Sequence, residues 1–154
     1  MKESDIVLVQ TSRFGELDIA EDEVFHFEEG IPGFRHVQKY AIIEVEESPF
    51  MYLQSADHGD VSFIVVSPFD FLKSYEFTLP EELIESLNIK NEQQVKIVSI
   101  LSVRNDLASA TINLGAPIIL NTQLRLGAQY ILPDGKYSIH HPLFAGKVPV
   151  EGGK

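Results

Sequence analysis

Glu23-Val24-Phe25-His26-Phe27-Glu28 alternates, so an extended backbone sets Val24 and His26 on one side and Phe25 and Phe27 on the other. A period of two marks a β-strand, and β-branched and aromatic side chains suit its pleated surface. The same signal recurs along the chain. Tyr40 to Val45, Phe50 to Leu53, Phe63 to Val66 and Val95 to Val103 are short runs of this kind, followed by Ala110 to Leu114, Pro117 to Leu120 and Leu124 to Leu132. Gly, Pro, Asn or Asp bounds each run, which is how turns punctuate strands. Many short strands with turns between them predict a mainly-β fold, either a sandwich or a barrel.

One short helix is expected near residues 80–87. Thr78-Leu79-Pro80-Glu81 has the spacing of a capping box, and Pro80 suits a first turn whose N–H has no partner. Glu81 and Glu82 complement the positive end of the helix dipole, and Leu83, Ile84 and Leu87 form an apolar stripe to dock on the sheet. Asn88 is the expected stop. So short a helix depends on tertiary packing.

With 154 residues, no internal repeat and no linker, the chain reads as one domain over residues 1–150. Glu151-Gly152-Gly153-Lys154 reads as a flexible C-terminal end. Cysteine is absent, which excludes a disulfide framework, a thiolate metal site and a cysteine nucleophile, and fits a reducing compartment. Only Ile6 to Val9 form an apolar run near the start, too short for a secretory core, and no run approaches a membrane span. A cytoplasmic location, away from membrane, is the expectation.

The net charge of −11 is unevenly spread. Residues 1–60 hold 14 acidic against 4 basic side chains, a balance of −10, whereas residues 95–154 hold 3 against 6. Such a chain is poorly suited to the phosphate backbone of nucleic acid. The excess serves solubility, and it also offers a face that attracts basic partners and repels RNA.

The residues for catalysis or metal binding do not come together in sequence. His26, His36, His58, His140 and His141 lack the spacing of a zinc site, and an extended backbone points His140 and His141 to opposite faces. Asp57-His58-Gly59-Asp60 reads as a polar turn between strands; a cleft joining Asp57, His58 and Asp60 would revive a hydrolase. Glu46-Glu47 as strand neighbours would face apart. No catalytic residue, metal ligand or cofactor is therefore expected. Gly30-Ile31-Pro32-Gly33-Phe34 is more informative: Pro32 and Gly33 suit the two corners of a type II turn. That turn would aim Ile31 and Phe34 in fixed directions, either to plug a barrel end or to meet a partner.

These landmarks together resemble the flagellar assembly factor FliW family. The resemblance rests on Gly30 to Phe34, Pro49-Phe50-Met51-Tyr52-Leu53-Gln54-Ser55, Phe63-Ile64-Val65-Val66-Ser67-Pro68 with Phe71, Thr111 to Ile118, Asn121, and Arg125-Leu126-Gly127-Ala128-Gln129-Tyr130. Their order spans roughly residues 14–144, and Gly115 stands where another small or polar residue would serve equally. The resemblance implies a compact antiparallel β-barrel. It also implies two protein partners: flagellin, and CsrA, an RNA-binding repressor of flagellin translation. Antagonism of CsrA by direct cover of its RNA surface, or by binding beside it and disfavouring RNA through negative charge, both fit; the resemblance favours the second. Glu44, Glu46 and Glu47 are the acidic candidates for that role, and Ile31, Phe34, Phe50 and Phe71 the apolar anchors for flagellin. A small-molecule-binding barrel is the competing expectation, since barrels can hold ligands in their mouths, and a large apolar interior pocket would favour it.

Overall fold

The computed structural model describes residues 6–133 and 135–143. Most of the expected runs form strands, although the alternating stretch over residues 23–28 is a strand only at Phe25–His26, and the Phe27 N–H bonds to Gln38 beyond it. β1 (Ile6–Thr11) and β2 (Gly15–Ala20) make a hairpin, and β3 (Phe25–His26), β4 (Lys39–Glu44), β5 (Met51–Ser55) and β6 (Ser62–Val66) follow. After a non-regular stretch come α1 (Glu81–Ser86), β7 (Val95–Ser102), β8 (Thr111–Ile112), β9 (Ile118–Asn121), β10 (Leu126–Gln129) and β11 (His141–Pro142).

β7 closes the ring. Its first half, Val95 to Val98, pairs with β9, and its second half, Ser99 to Leu101, pairs with β6. The circuit β7-β6-β5-β4-β3-β10-β9 therefore returns to β7 as a seven-stranded barrel. β8 and β11 extend the sheet beyond Leu101. Among the described residues every strand pairing is antiparallel except one: β3 and β10 run parallel and meet only at His26 and Leu126. Closure removes sheet edges, which open sheets must otherwise protect.

The alternation sorts side chains as expected. Ile42, Leu53 and Phe63 lie opposite one another across β4, β5 and β6, and all pack into the central cluster. Phe27, Val37, Tyr40, Leu53, Val65, Val98, Ile118 and Leu120 are fully buried there. Side chains thus fill the centre of the barrel.

Two further cores flank it. A satellite cluster of Val66, Tyr75, Leu101, Ala110, Ile112, Leu114 and Leu143 gathers Phe50, Phe71, Phe77 and Tyr137 around it. On another side the β1–β2 hairpin packs Val9 and Ile19 against Val24, Ala41 and Ala56. Gly59 lets this hairpin in, because a Cβ there would overlap the Gln10 carbonyl oxygen. The Ser12 N–H donates to the Gly59 carbonyl at 3.1 Å, and Phe14 stacks edge-on against Tyr52.

The helix differs from expectation at its start. Pro80, in extended conformation, is the N-cap residue and no side chain caps the turn, so Thr78 lies outside the helix. Proline brings no side-chain acceptor, and Glu81 and Glu82 in the first turn supply the favourable charge. The end is as expected. Asn88 takes φ of 52°, its N–H donates to Glu85, and the Ile89 N–H donates to Ile84, the two bonds of a Schellman closure. Leu87 is buried, while Leu83 and Ile84 are half-buried. The proposed flexible end at 151–154 lies outside the described residues.

Candidate partner-binding surfaces

Two ends of the barrel divide the residues singled out in the sequence. Glu44 ends β4 and the turn that follows into β5 carries Glu46 and Glu47, all three exposed. Glu46 and Glu47 sit in this turn rather than in a strand, and Glu47 adopts φ of 59°. None of the three makes an ion pair among the described residues, so their charge faces solvent uncompensated. Phe50 follows, its N–H held by Ser48 Oγ at 3.0 Å. Phe50 and Phe71 are half-buried and pack on the same satellite cluster. Val45 and Phe69 are exposed nearby in sequence, and Phe69 leans on Tyr75 with ring centroids 5.7 Å apart. The acidic turn thus adjoins a shelf of aromatic side chains that the satellite core supports.

Ile31 and Phe34 stand apart from this group. The Phe34 N–H donates to the Ile31 carbonyl and Gly33 takes φ of 89°, so the type II turn forms with Pro32 and Gly33 at its corners. Ile31 is only 2% exposed and belongs to the central cluster. It fixes the turn from inside and offers a partner no surface. Phe34 is half-buried, edge-on to Phe63 at 5.2 Å. Phe63 lies near the start of β6, whereas Glu44 pairs through Met51 toward Val65 near its end, so the strand separates the two groups.

Asp57, His58 and Asp60 lie in the β5–β6 turn. Ser55 Oγ accepts the N–H groups of Asp57 and His58 at 3.2 and 2.8 Å, which is a structural task. His58 Nε2 and Asp57 Oδ1 are 3.8 Å apart, and both side chains are open to solvent. Among the described residues no three His, Asp or Glu side chains converge as metal ligands.

A groove that sequence reading did not single out runs beside the parallel seam. It has a volume of about 640 Å³, and its walls are the 28–35 segment and α1, with β10 and the residues after it between them. Leu83, Leu87, Leu126 and Ala128 contribute apolar surface, and Glu28, Glu29 and Glu82 stand along it opposite the single Arg35. Asn121 fixes the helix wall: its fully buried side chain donates to the Leu87 carbonyl at 2.8 Å and accepts the N–H groups of Gln123 and Leu124 at 3.0 Å. Gly127 fixes the floor, since a Cβ there would overlap the Phe27 ring. Asn121 and Gly127 were visible as motif residues. The groove was not, because its walls come from three segments distant in sequence.

Two buried tyrosines complete the electrostatics. Burial, and secondarily the negative Asp57, pushes Tyr40 up to about 12. Burial, with a smaller contribution from Tyr137, raises Tyr75 as well. No helix of the described residues is long and apolar enough to cross a membrane.

Residues 8–143 match the family model described as FliW protein. The chain is 40% identical over 138 residues to the flagellar assembly factor FliW of Bacillus subtilis strain 168, covering 89% of this chain and 96% of that protein. It is 39% identical over 151 residues to the protein of the same name from Desulfitobacterium hafniense strain Y51, covering 95% and 99%. A crystal structure of the flagellar assembly factor FliW superposes with a TM-score of 0.84 at 37% identity, covering 92% of this chain and 99% of that one.

Proposed function

This chain belongs to the FliW family of flagellar assembly factors, and from that premise we propose that it binds flagellin and antagonises the translational repressor CsrA in the cytoplasm. Both acts are protein–protein binding without catalysis. Binding CsrA lifts repression of flagellin translation, and flagellin competes for the same regulator, so synthesis follows export.

The observation that supports this reading is the uncompensated acidic turn beside an aromatic shelf. Glu44, Glu46 and Glu47 project unpaired negative charge, and Phe50 and Phe71 are held half-buried next to it. Negative charge placed beside an RNA-binding protein disfavours RNA over a Debye length of roughly 8–10 Å without touching the RNA site. The half-buried rings supply apolar area for an amphipathic flagellin segment.

Reversal of the three glutamates to lysine is the test. Antagonism of CsrA, read as RNA release in a binding assay, is expected to weaken by about tenfold or more and to lose its salt dependence. A variant whose antagonism equals that of the unsubstituted protein at both low and high salt would remove these residues from the mechanism.

A further inference from the structure

β10 keeps an unused edge. In its ladder with β9, Leu126, Ala128, Tyr130 and Leu132 lie in the hydrogen-bonding register, as the bonds from the Tyr130 N–H to Pro117 and from the Leu132 N–H to Gly115 show. Gly127, Gln129 and Ile131 therefore turn their N–H and C=O groups the other way. Gly127 meets β3 at the His26–Leu126 bridge. β3 then leaves, with the Phe27 N–H bonded to Gln38 instead. Among the described residues, nothing pairs with the outward backbone groups of Gln129 or Ile131. Both residues line the groove, and Ile131 is 63% exposed.

An unpaired strand edge in a groove is a template for another strand. The walls specify its chemistry. Glu28 and Glu29 on one side and Glu82 on the other have no ion pair among the described residues, against the lone Arg35. Leu83, Leu87 and Leu126 offer apolar surface between them. We propose that this groove is a strand-addition site for an extended segment of another protein, alternating apolar and basic side chains. The main chain would pair with Gln129 and Ile131, the apolar side chains would cover the leucines, and the basic ones would meet the glutamates. A helix in the same place would leave the open backbone groups unpaired.

A blocked eight-residue peptide of alternating valine and lysine is the probe, with a valine–glutamate peptide as its counterpart. On titration into the isotopically labelled protein, the largest amide shifts are expected at Gln129 and Ile131, with hydrogen exchange there slowed by about tenfold or more at saturation. The valine–glutamate peptide is expected to bind about tenfold more weakly. Ile131→Pro removes the N–H donor and should abolish the exchange protection, whereas Ile131→Val retains it. Glu82→Lys leaves the strand intact and should weaken the lysine peptide alone. Shifts centred elsewhere, equal affinity for both peptides, or indifference to both Ile131→Pro and Glu82→Lys would overturn the proposal. So would concentration-dependent self-association through Ile131 in the absence of peptide, which would assign the edge to a second copy. Neither flagellin nor CsrA enters the experiment, so its failure leaves the regulatory reading untouched.

Discussion

The central barrel core and the satellite core are built from the same kinds of side chain but held by different means. Around the barrel, backbone ladders enclose Phe27, Leu53 and Tyr40 on every side, and closure fixes their register. The satellite core is capped by the non-regular segment after β6, which has few ladder bonds to hold it. There, side chains do the joining. Tyr75 stacks within 5.4 Å of Phe77 and 4.6 Å of Tyr137, and its hydroxyl donates to the Leu114 carbonyl at 2.7 Å. Tyr40, equally deep, has a hydroxyl without a hydrogen-bond partner among the described residues. A tyrosine in the barrel acts as a large ring that tolerates an idle polar atom; a tyrosine in the satellite ties two segments together.

Truncation separates the two cores most sharply. Phe27→Ala is expected to cost about 3–5 kcal/mol, because a fully enclosed ring leaves a cavity that ladders prevent from collapsing. Phe71→Ala should cost about 1–2 kcal/mol, given its partial burial and looser surroundings. Chemical denaturation measures both, and equal losses would erase the distinction.

Removing single hydroxyls is a finer probe. Tyr75→Phe orphans the Leu114 carbonyl and should cost about 1–3 kcal/mol. Tyr40→Phe removes a buried unpartnered group and should be neutral or stabilising by up to about 1 kcal/mol. A destabilising Tyr40→Phe would place a hidden partner, such as a water, on that hydroxyl.

Tyr40 also sets a pH dependence. Tyr40 titrates near 12 in the folded protein, against about 10 for an unfolded tyrosine. The folded state holds this proton more tightly, so the corresponding stability is complete below about pH 10 and is lost as pH rises through about 12. Tyr40→Phe should therefore flatten the alkaline decline in unfolding free energy, measured between about pH 9 and 11. Identical slopes for variant and parent would remove Tyr40 from that decline.

The same contrast explains what could be read in advance. Strands such as Lys39–Glu44 and Ser62–Val66 announce themselves as β-branched and aromatic runs between turn residues and sit where expected. β1 does not, because Ile6 and Leu8 are apolar although 61% and 64% exposed, while Val9 behind them is buried. An apolar run on both faces has no period to detect. β11 has only two residues and exists by pairing with β8. Thr78 had the correct spacing for a cap, but Pro80 already sets the extended residue before the helix. At the candidate surfaces, sequence could name Glu44, Phe50 and Phe71, whereas burial alone distinguishes Ile31 from Phe34.

The single parallel pair between His26 and Leu126 has a consequence in time. It joins strands about a hundred residues apart, so the ring cannot shut until nearly the whole barrel has been synthesised and arranged. Contacts of such long sequence separation belong to slow folders, with closure on the millisecond-to-second scale. Until then β3 and β10 both present unpaired edges, and an unfinished chain is at its most adhesive just before its last strands arrive.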